Sequence, residues 1–323
     1  MKLQKLYRAA VEHGMSVDPR GVRSVRGELA KAKKAYGELD KAEKGRFDLE
    51  QLANPYSDTR VLYGDGDLDV KGVLVGIDIE VGEVLLAERL MSRGHRIDLL
   101  WAHHPEGVAL ANLGGVMAMQ ADILASFGVP ITAAEGVLEP RIREVERAVM
   151  PTNHSRAVDA AKLLGIPMLC THTPADNCVQ HHLQQLFTRT KPETVGDVID
   201  VLREVPEYRD AEPLGAGLKI FSGSKKRRAG RVFVDMTGGT SGSEKSYEKI
   251  ANTSDIGTIV GMHIPEKHRE EAEKHHINVV IAGHMASDTL GMNLLIDGVE
   301  KITKAKLAVI ECSGFRRYRH DKR

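Results

Sequence analysis

The sequence has no excess of charge of either sign. Lysine plus arginine number 45 and aspartate plus glutamate 45, so no global field draws the chain to nucleic acid or to an anionic membrane. Cysteine is scarce and odd in number. Cys170, Cys178 and Cys312 form neither a disulfide framework nor a zinc-knuckle spacing, which suits a reducing cytoplasm. Cys170, inside a short apolar run, reads as a small core residue. Long apolar runs are missing too. Nothing approaches the roughly 18 consecutive apolar residues of a membrane span, and the first residues lack the apolar core of a signal peptide. A cytoplasmic protein with no membrane partner is expected. No internal period and no low-complexity tract occurs, which excludes repeat architectures.

What the sequence does have is three apolar runs that each break into histidine or aspartate. Ile97-Asp98-Leu99-Leu100-Trp101-Ala102 stops at His103-His104-Pro105-Glu106. The run reads as a buried strand of a parallel sheet, and Pro105 ends it because proline cannot donate to the ladder. Neighbouring strand residues point to opposite faces, so the two histidines can share a site only where the backbone turns. Ile166-Pro167-Met168-Leu169-Cys170-Thr171 leads into His172 and Asp176. Ile277-Asn278-Val279-Val280-Ile281-Ala282 leads through Gly283 to His284 and Asp288, one turn apart on the same face if a helix begins there. The carboxyl ends of strands are where open α/β sheets bind ligands. Imidazole with carboxylate suits Zn, Mn or Fe.

Around these runs, strand and helix alternate: strand 73–79, helix 83–93, strand 97–102 and helix 110–127. This is the pattern of a parallel sheet with crossover helices. A charged helix over 138–149 and another over 155–164 follow. The strand 257–262, the helix 265–275 and the strand 277–283 make a second such unit, and a last strand covers 307–312 before a basic tail (316–323). Leu218–Phe221 and Arg231–Asp235 read as a hairpin whose long tip, Lys225 to Arg228, is basic. With no aromatics interleaved for stacking, that tip is a solvated turn rather than a nucleic-acid patch. His181 and His182 read as a solvated helix face. Gly238-Gly239-Thr240-Ser241-Gly242-Ser243 leads into a helix, where free amides can hold an anion, although it matches neither phosphate-loop pattern. Residues 1–55 are rich in Lys, Glu and Ala and read as exposed helices ending near Asn54-Pro55.

Three segments, Ala102-His103-His104-Pro105, His172-Thr173-Pro174-Ala175-Asp176 and Gly283-His284-Met285-Ala286-Ser287-Asp288, together resemble the signatures of the NIF-three-like family. Its members are often labelled GTP cyclohydrolase I type 2 homologues. Val73 to Asp78 and Gly238 to Ser243 are similar to further family segments, and the resemblance spans about residues 56–298. It implies an α/β fold, two-lobed, with parallel or mixed sheets and a dinuclear metal site in the cleft between lobes, assembled as a homohexamer. The expected organisation is a helical extension over 1–55 and a metal-binding unit over 56–323, with lobes 56–165 and 166–323.

By motif match, His103, His104, Asp176, His284 and Asp288 would hold two divalent ions (Zn, Fe or Mn), with His172 and Asp78 behind them orienting a ligand or a bound water. Three neutral imidazoles and two carboxylates leave a formal positive surplus that welcomes a small anionic substrate such as a nucleotide. The implied function is metal-dependent hydrolysis, a metal-activated hydroxide attacking a nucleotide or phosphoester. A protein that stores or delivers ions, or a scaffold its metal merely holds together, are the alternatives. Two departures stand out. The family usually has glutamate where Asp288 stands, one methylene shorter, which leaves open whether Asp288 reaches both ions. Glu106 replaces an apolar residue and is either a general base beside the metals or an exposed loop residue. His154, His263 and His268 are not taken as ligands.

Overall fold

The computed structural model describes residues 1–320. Helices α1 (Leu3–Ser16), α2 (Val22–Glu38) and α3 (Lys41–Lys44) precede strand β1 (Thr59–Tyr63). There follow β2 (Gly72–Gly76), α4 (Val81–Met91), β3 (Leu99–Ala102), α5 (Gly107–Ala111), α6 (Met119–Ser126), α7 (Ile131–Val149), α8 (Arg156–Leu163) and β4 (Met168–Thr171). Then come α9 (Thr173–Thr190), α10 (Val195–Arg203), α11 (Pro206–Ala211), β5 (Lys219–Ser222) and β6 (Arg231–Asp235). The chain continues through α12 (Ser246–Thr253), β7 (Ile256–Gly261), α13 (Glu266–Lys274), β8 (Asn278–Ile281), α14 (His284–Thr303) and β9 (Ala308–Cys312).

These strands form two mixed sheets, in the orders β1-β4-β3-β2-β9 and β5-β8-β7-β6. In each, parallel strands carry one antiparallel edge strand, β1 against β4 and β5 against β8. The parallel strands β2, β3, β4 and β8 are buried along their whole length, as expected where both faces of a sheet are covered by helices. Helices α9 and α14 serve both sheets. Ala175, Cys178, Met292 and Leu295 pack with the first, while Val179, Leu183, Ala286 and Leu290 pack with the second. The two helices approach closely at Gly291, where a Cβ would lie 2.6 Å from the carbonyl oxygen of Ala175.

The expected hairpin is absent. β5 and β6 sit at opposite edges of the second sheet, because β8 and β7 fill the space between them. The loop between β5 and β6 is instead tied to the start of α10, with Val195 and Gly196 donating to the carbonyls of Arg227 and Lys225. Residues 1–55 are not all exposed helices. Leu3, Leu6, Ala9 and Ala10 of α1 are buried in the same cluster as Val73, Trp101 and Met292, so α1 belongs to the core. Only α2 and α3 resemble an appendage, with Val25 their one buried residue. His181 and His182 are half-buried rather than solvated. The helix expected over 110–127 breaks where Gly114 and Gly115 press on Glu146 and Ser57, and α7 starts at Ile131 rather than near 138. Strand β1 carried no signal strong enough to be foreseen. Of the basic tail, residues 321–323 lie outside the described residues. Arg317 and Arg319 pair with Asp297 and Glu300 of α14. No helix among the described residues is long and apolar enough to cross a membrane.

Candidate metal centre

Four parallel strands deliver their carboxyl ends to one place. β2 ends ahead of Asp78 and β3 ahead of His103 and His104, whose amides donate to the carbonyls of Gly76 and Ile77. β4 ends ahead of His172, the N-cap of α9, which puts Asp176 in the first helical turn. In the second sheet β8 leads to Gly283, whose φ of 101° suits glycine, and α14 then sets His284 and Asp288 one turn apart. All five expected ligands converge. His103, Asp176 and Asp288 form one group, His104, His284 and Asp288 a second, and His103, His104 and His172 a third; each could hold a metal ion.

The spacings fit an ion better than direct hydrogen bonds. Nε2 of His103 lies 3.5 Å from a carboxylate oxygen of Asp176 and 3.5 Å from Oδ1 of Asp288. Nε2 of His104 and of His284 each lie 3.4 Å from Oδ2 of Asp288. Two atoms about 2.1 Å from one tetrahedral ion stand about 3.4 Å apart, whereas a hydrogen bond would bring them to roughly 2.7–3.2 Å. Both ring nitrogens of His103 and both oxygens of Asp288 are buried with no hydrogen-bond partner. Leaving such groups unsatisfied costs about 1–3 kcal/mol each, and a divalent ion would satisfy several at once. Asp288 turns one oxygen to each side, so its shorter side chain still faces both sets of imidazoles.

Protonation shows the same demand for positive charge. Burial disfavours charge on His103 and carries it down to about 4. Burial also opposes charge on His104, but contacts with Asp288 and Asp78 outweigh it and lift the imidazole to about 10. Burial raises Asp176 to about 8. Asp288 is equally buried, yet the facing imidazoles of His103 and His104 hold it far below the usual carboxylate range.

Behind the cluster stand two carboxylates. Asp78 meets Nδ1 of His104 at 2.7 Å, the orienting contact expected of it. His172 is placed differently from expectation. Its Nε2 faces Asp176 at 3.8 Å, so it joins the candidate ligands, and the orienting group behind it is Asp58. That buried carboxylate meets Nδ1 of His172 at 2.9 Å and accepts a hydrogen bond from Thr173 Oγ1. Asp58 was missed because it precedes β1, which itself left no clear pattern. Glu106 is half-buried beside Asp78 and Glu80; burial first, then the charge of Glu80, raises it to about 7. His154 bonds to the carbonyl of Val149 and stands outside the cluster.

On the second-sheet side a cavity of ≈ 80 Å³ adjoins His172, Asp176, His284 and Asp288. The glycine-rich loop, the end of β6, Tyr247, His263 and His268 form its other walls. Gly238 and Gly239 have φ of 101° and 87°, the left-handed region that favours glycine.

No family model matches the chain, and no curated protein does. Solved structures do. A NIF3 superfamily protein from Sphaerobacter thermophilus is 26% identical and superposes with a TM-score of 0.69, over 80% of this chain and 92% of its own. Reduced HcgD from Methanocaldococcus jannaschii shares the fold at 13% identity and a TM-score of 0.51, over 84% of this chain and 94% of its own. The three histidine motifs at the strand ends that build the cluster, and the likeness to the Sphaerobacter protein over four fifths of this chain, support assignment of the chain to the NIF3 superfamily.

Proposed function

We propose that the protein is a metal-dependent hydrolase of a small phosphate-bearing substrate, its site holding two divalent ions of the Zn, Mn or Fe kind. The observation that carries this reading is Asp288, whose two buried, unpartnered oxygens are divided between His103 on one side and His104 with His284 on the other. Bound there, divalent ions lower the pKa of a water and polarise a phosphoryl oxygen.

The chain's own residues supply the rest. Asp78 and Asp58 fix the ring orientation of His104 and His172 through their Nδ1 atoms, leaving each Nε2 turned to the site. Gly239 to Gly242 line the adjoining cavity, and the backbone amides of this loop receive the anionic part of the substrate. Glu106, poised near neutrality, is suited to accept a proton at working pH. It stands near Asp78 and does not line the cavity.

The test is turnover of a panel of phosphoesters and nucleotides by metal-replete protein. His104→Ala should abolish it, and Glu106→Gln should lower it at unchanged metal content. Replete protein that hydrolyses nothing, yet passes its ions to a chelator within minutes, would replace this reading with ion delivery.

A further inference from the structure

The glycine-rich loop between β6 and α12 is held by side chains that take its carbonyls. Gln120 of α6 is buried, and its amide group donates to the carbonyls of both Gly238 and Thr240, each at 2.7 Å. Arg141 of α7 donates to the carbonyl of Ser241 at 3.0 Å, and Nε2 of His268 lies 3.0 Å from that of Gly242. The entry to the loop is fixed as well. Gln180 of α9 accepts from the amide of Met236, and Asn177 accepts from Thr237 Oγ1 at 2.7 Å. Asn177 follows the candidate ligand Asp176 on the same helix, so one element positions both the loop and part of the cluster.

The glycines of the loop answer to Gln120. A Cβ at Gly238 would lie 2.7 Å from Cγ of Gln120, and one at Gly242 would collide with its Oε1. The loop can wrap the glutamine only where side chains are absent. In a planar trans peptide the C=O and the N–H point opposite ways, and no peptide bond among the described residues is cis. With the carbonyls of Gly238 and Thr240 turned to Gln120, the N–H groups of Gly239 and Ser241 are turned away from it. Gln120 lines a separate cavity of ≈ 40 Å³, whereas Gly239 and Ser241 line the ≈ 80 Å³ cavity beside the cluster. Among the described residues neither amide has a hydrogen-bond partner. Ser241 Oγ lies 3.3 Å from Nδ1 of His263, whose ring centroid is 5.1 Å from that of His284. The loop thus stands one imidazole ring away from a candidate ligand.

We infer that Gln120 is a positioning residue, and that by holding two alternate carbonyls it presents the amides of Gly239 and Ser241 to the cavity as a paired donor site for a tetrahedral oxyanion. The inference rests on the proposed function for the anion, the phosphate of the substrate, and adds the residue that builds its site. Backbone N–H groups set close together in a turn make an anion-binding concavity. The cavity is several times the roughly 10–15 Å³ that one water needs. Asp235 lines the same cavity, but it is exposed, and solvent and salt screen its charge.

The experiment titrates full-length, zinc-loaded protein with inorganic phosphate, the metal content being measured on every sample. In amide spectra of isotopically labelled wild type, the Gly239 and Ser241 signals should move with added phosphate. Gln120→Met keeps the length of the side chain without its donor. It should bind phosphate at least about tenfold more weakly, the loss of one charge-assisted hydrogen bond, at unchanged zinc content. Phosphate binding that moves neither amide, or no phosphate binding at all, would overturn the inference. So would an affinity unchanged in Gln120→Met, whatever its melting temperature, since Gln120 would then be structural only. Should Gln120→Met fail to fold, the wild-type spectra decide alone. Protein that takes up no metal yet moves both amides with phosphate would sink the hydrolase reading and leave this one standing. Replete protein that binds phosphate at its ions alone would do the reverse.

Discussion

Asp58 and His172 are 114 residues apart in sequence, and Oδ2 of Asp58 lies 2.9 Å from Nδ1 of His172. The contact holds a proton on Nδ1 and turns Nε2 towards the cluster, where it must be unprotonated to bind an ion. Carboxylates behind a metal-binding histidine typically contribute roughly 10–100-fold to metal affinity. Asp58→Asn should therefore weaken zinc binding by about that factor, read by competition with a chromogenic chelator. A melting temperature close to wild type would show that the loss is local, and unchanged affinity would reduce Asp58 to a structural role.

Asp288 faces imidazoles with both oxygens. Protein purified without chelators should carry about two divalent ions per chain, since the ligands present exceed the four of one tetrahedral ion. Asp288→Asn should lower that number to one or fewer, measured by elemental analysis. A variant that keeps both ions would mean Asp288 binds neither.

Metal uptake should release protons, and the sign follows from the shifts. In metal-free protein His104 is held up to about 10 and Asp176 up to about 8, so both carry a proton at pH 7, and both must lose it to bind an ion. His172 is raised as well, Asp176 and Asp58 outweighing its burial. Apparent affinity should rise with pH by up to about tenfold per unit for each proton released. The rise should be steepest below about pH 8, where Asp176 still contributes, and shallower from there to about pH 10. Zinc affinities measured at several pH values check this, and a flat profile would show that neither group is displaced.

Helix α1 supplies core residues, so truncating it should be costly. Leu6 is fully buried, and Leu6→Ala should lower stability by about 2–5 kcal/mol. Lys33→Ala, on the exposed side of α2, should stay within about 0.5 kcal/mol of wild type. Urea unfolding of the two variants measures the contrast.

The α9–α14 crossing sets the distance between Asp176 and Asp288. A Cβ at Gly291 would meet the carbonyl of Ala175 at 2.6 Å, while one at Gly82 of α4 meets nothing within 4 Å. Gly291→Ala should cost about 1–3 kcal/mol through overpacking and weaken metal binding by spreading the cluster. Gly82→Ala should be neutral or stabilising by up to about 1 kcal/mol. Thermal melts and the same chelator competition separate the two.

The sequence alone determined what depends on neighbours along the chain. An apolar run that ends at His103-His104-Pro105, a helix that begins at His284, and the one-turn spacing of His284 and Asp288 are local facts, because strand burial and helical periodicity are written in consecutive residues. The tertiary structure decided what depends on which distant segments meet. Nothing near Asp58 marks it as the partner of His172, and no local pattern tells that α1 is buried while α2 is not. β5 and β6 look like a hairpin from their spacing, yet β8 and β7 take the places between them. Side-chain direction and strand order are fixed by long-range packing, whose contacts join residues tens to hundreds of positions apart and leave no period in the sequence.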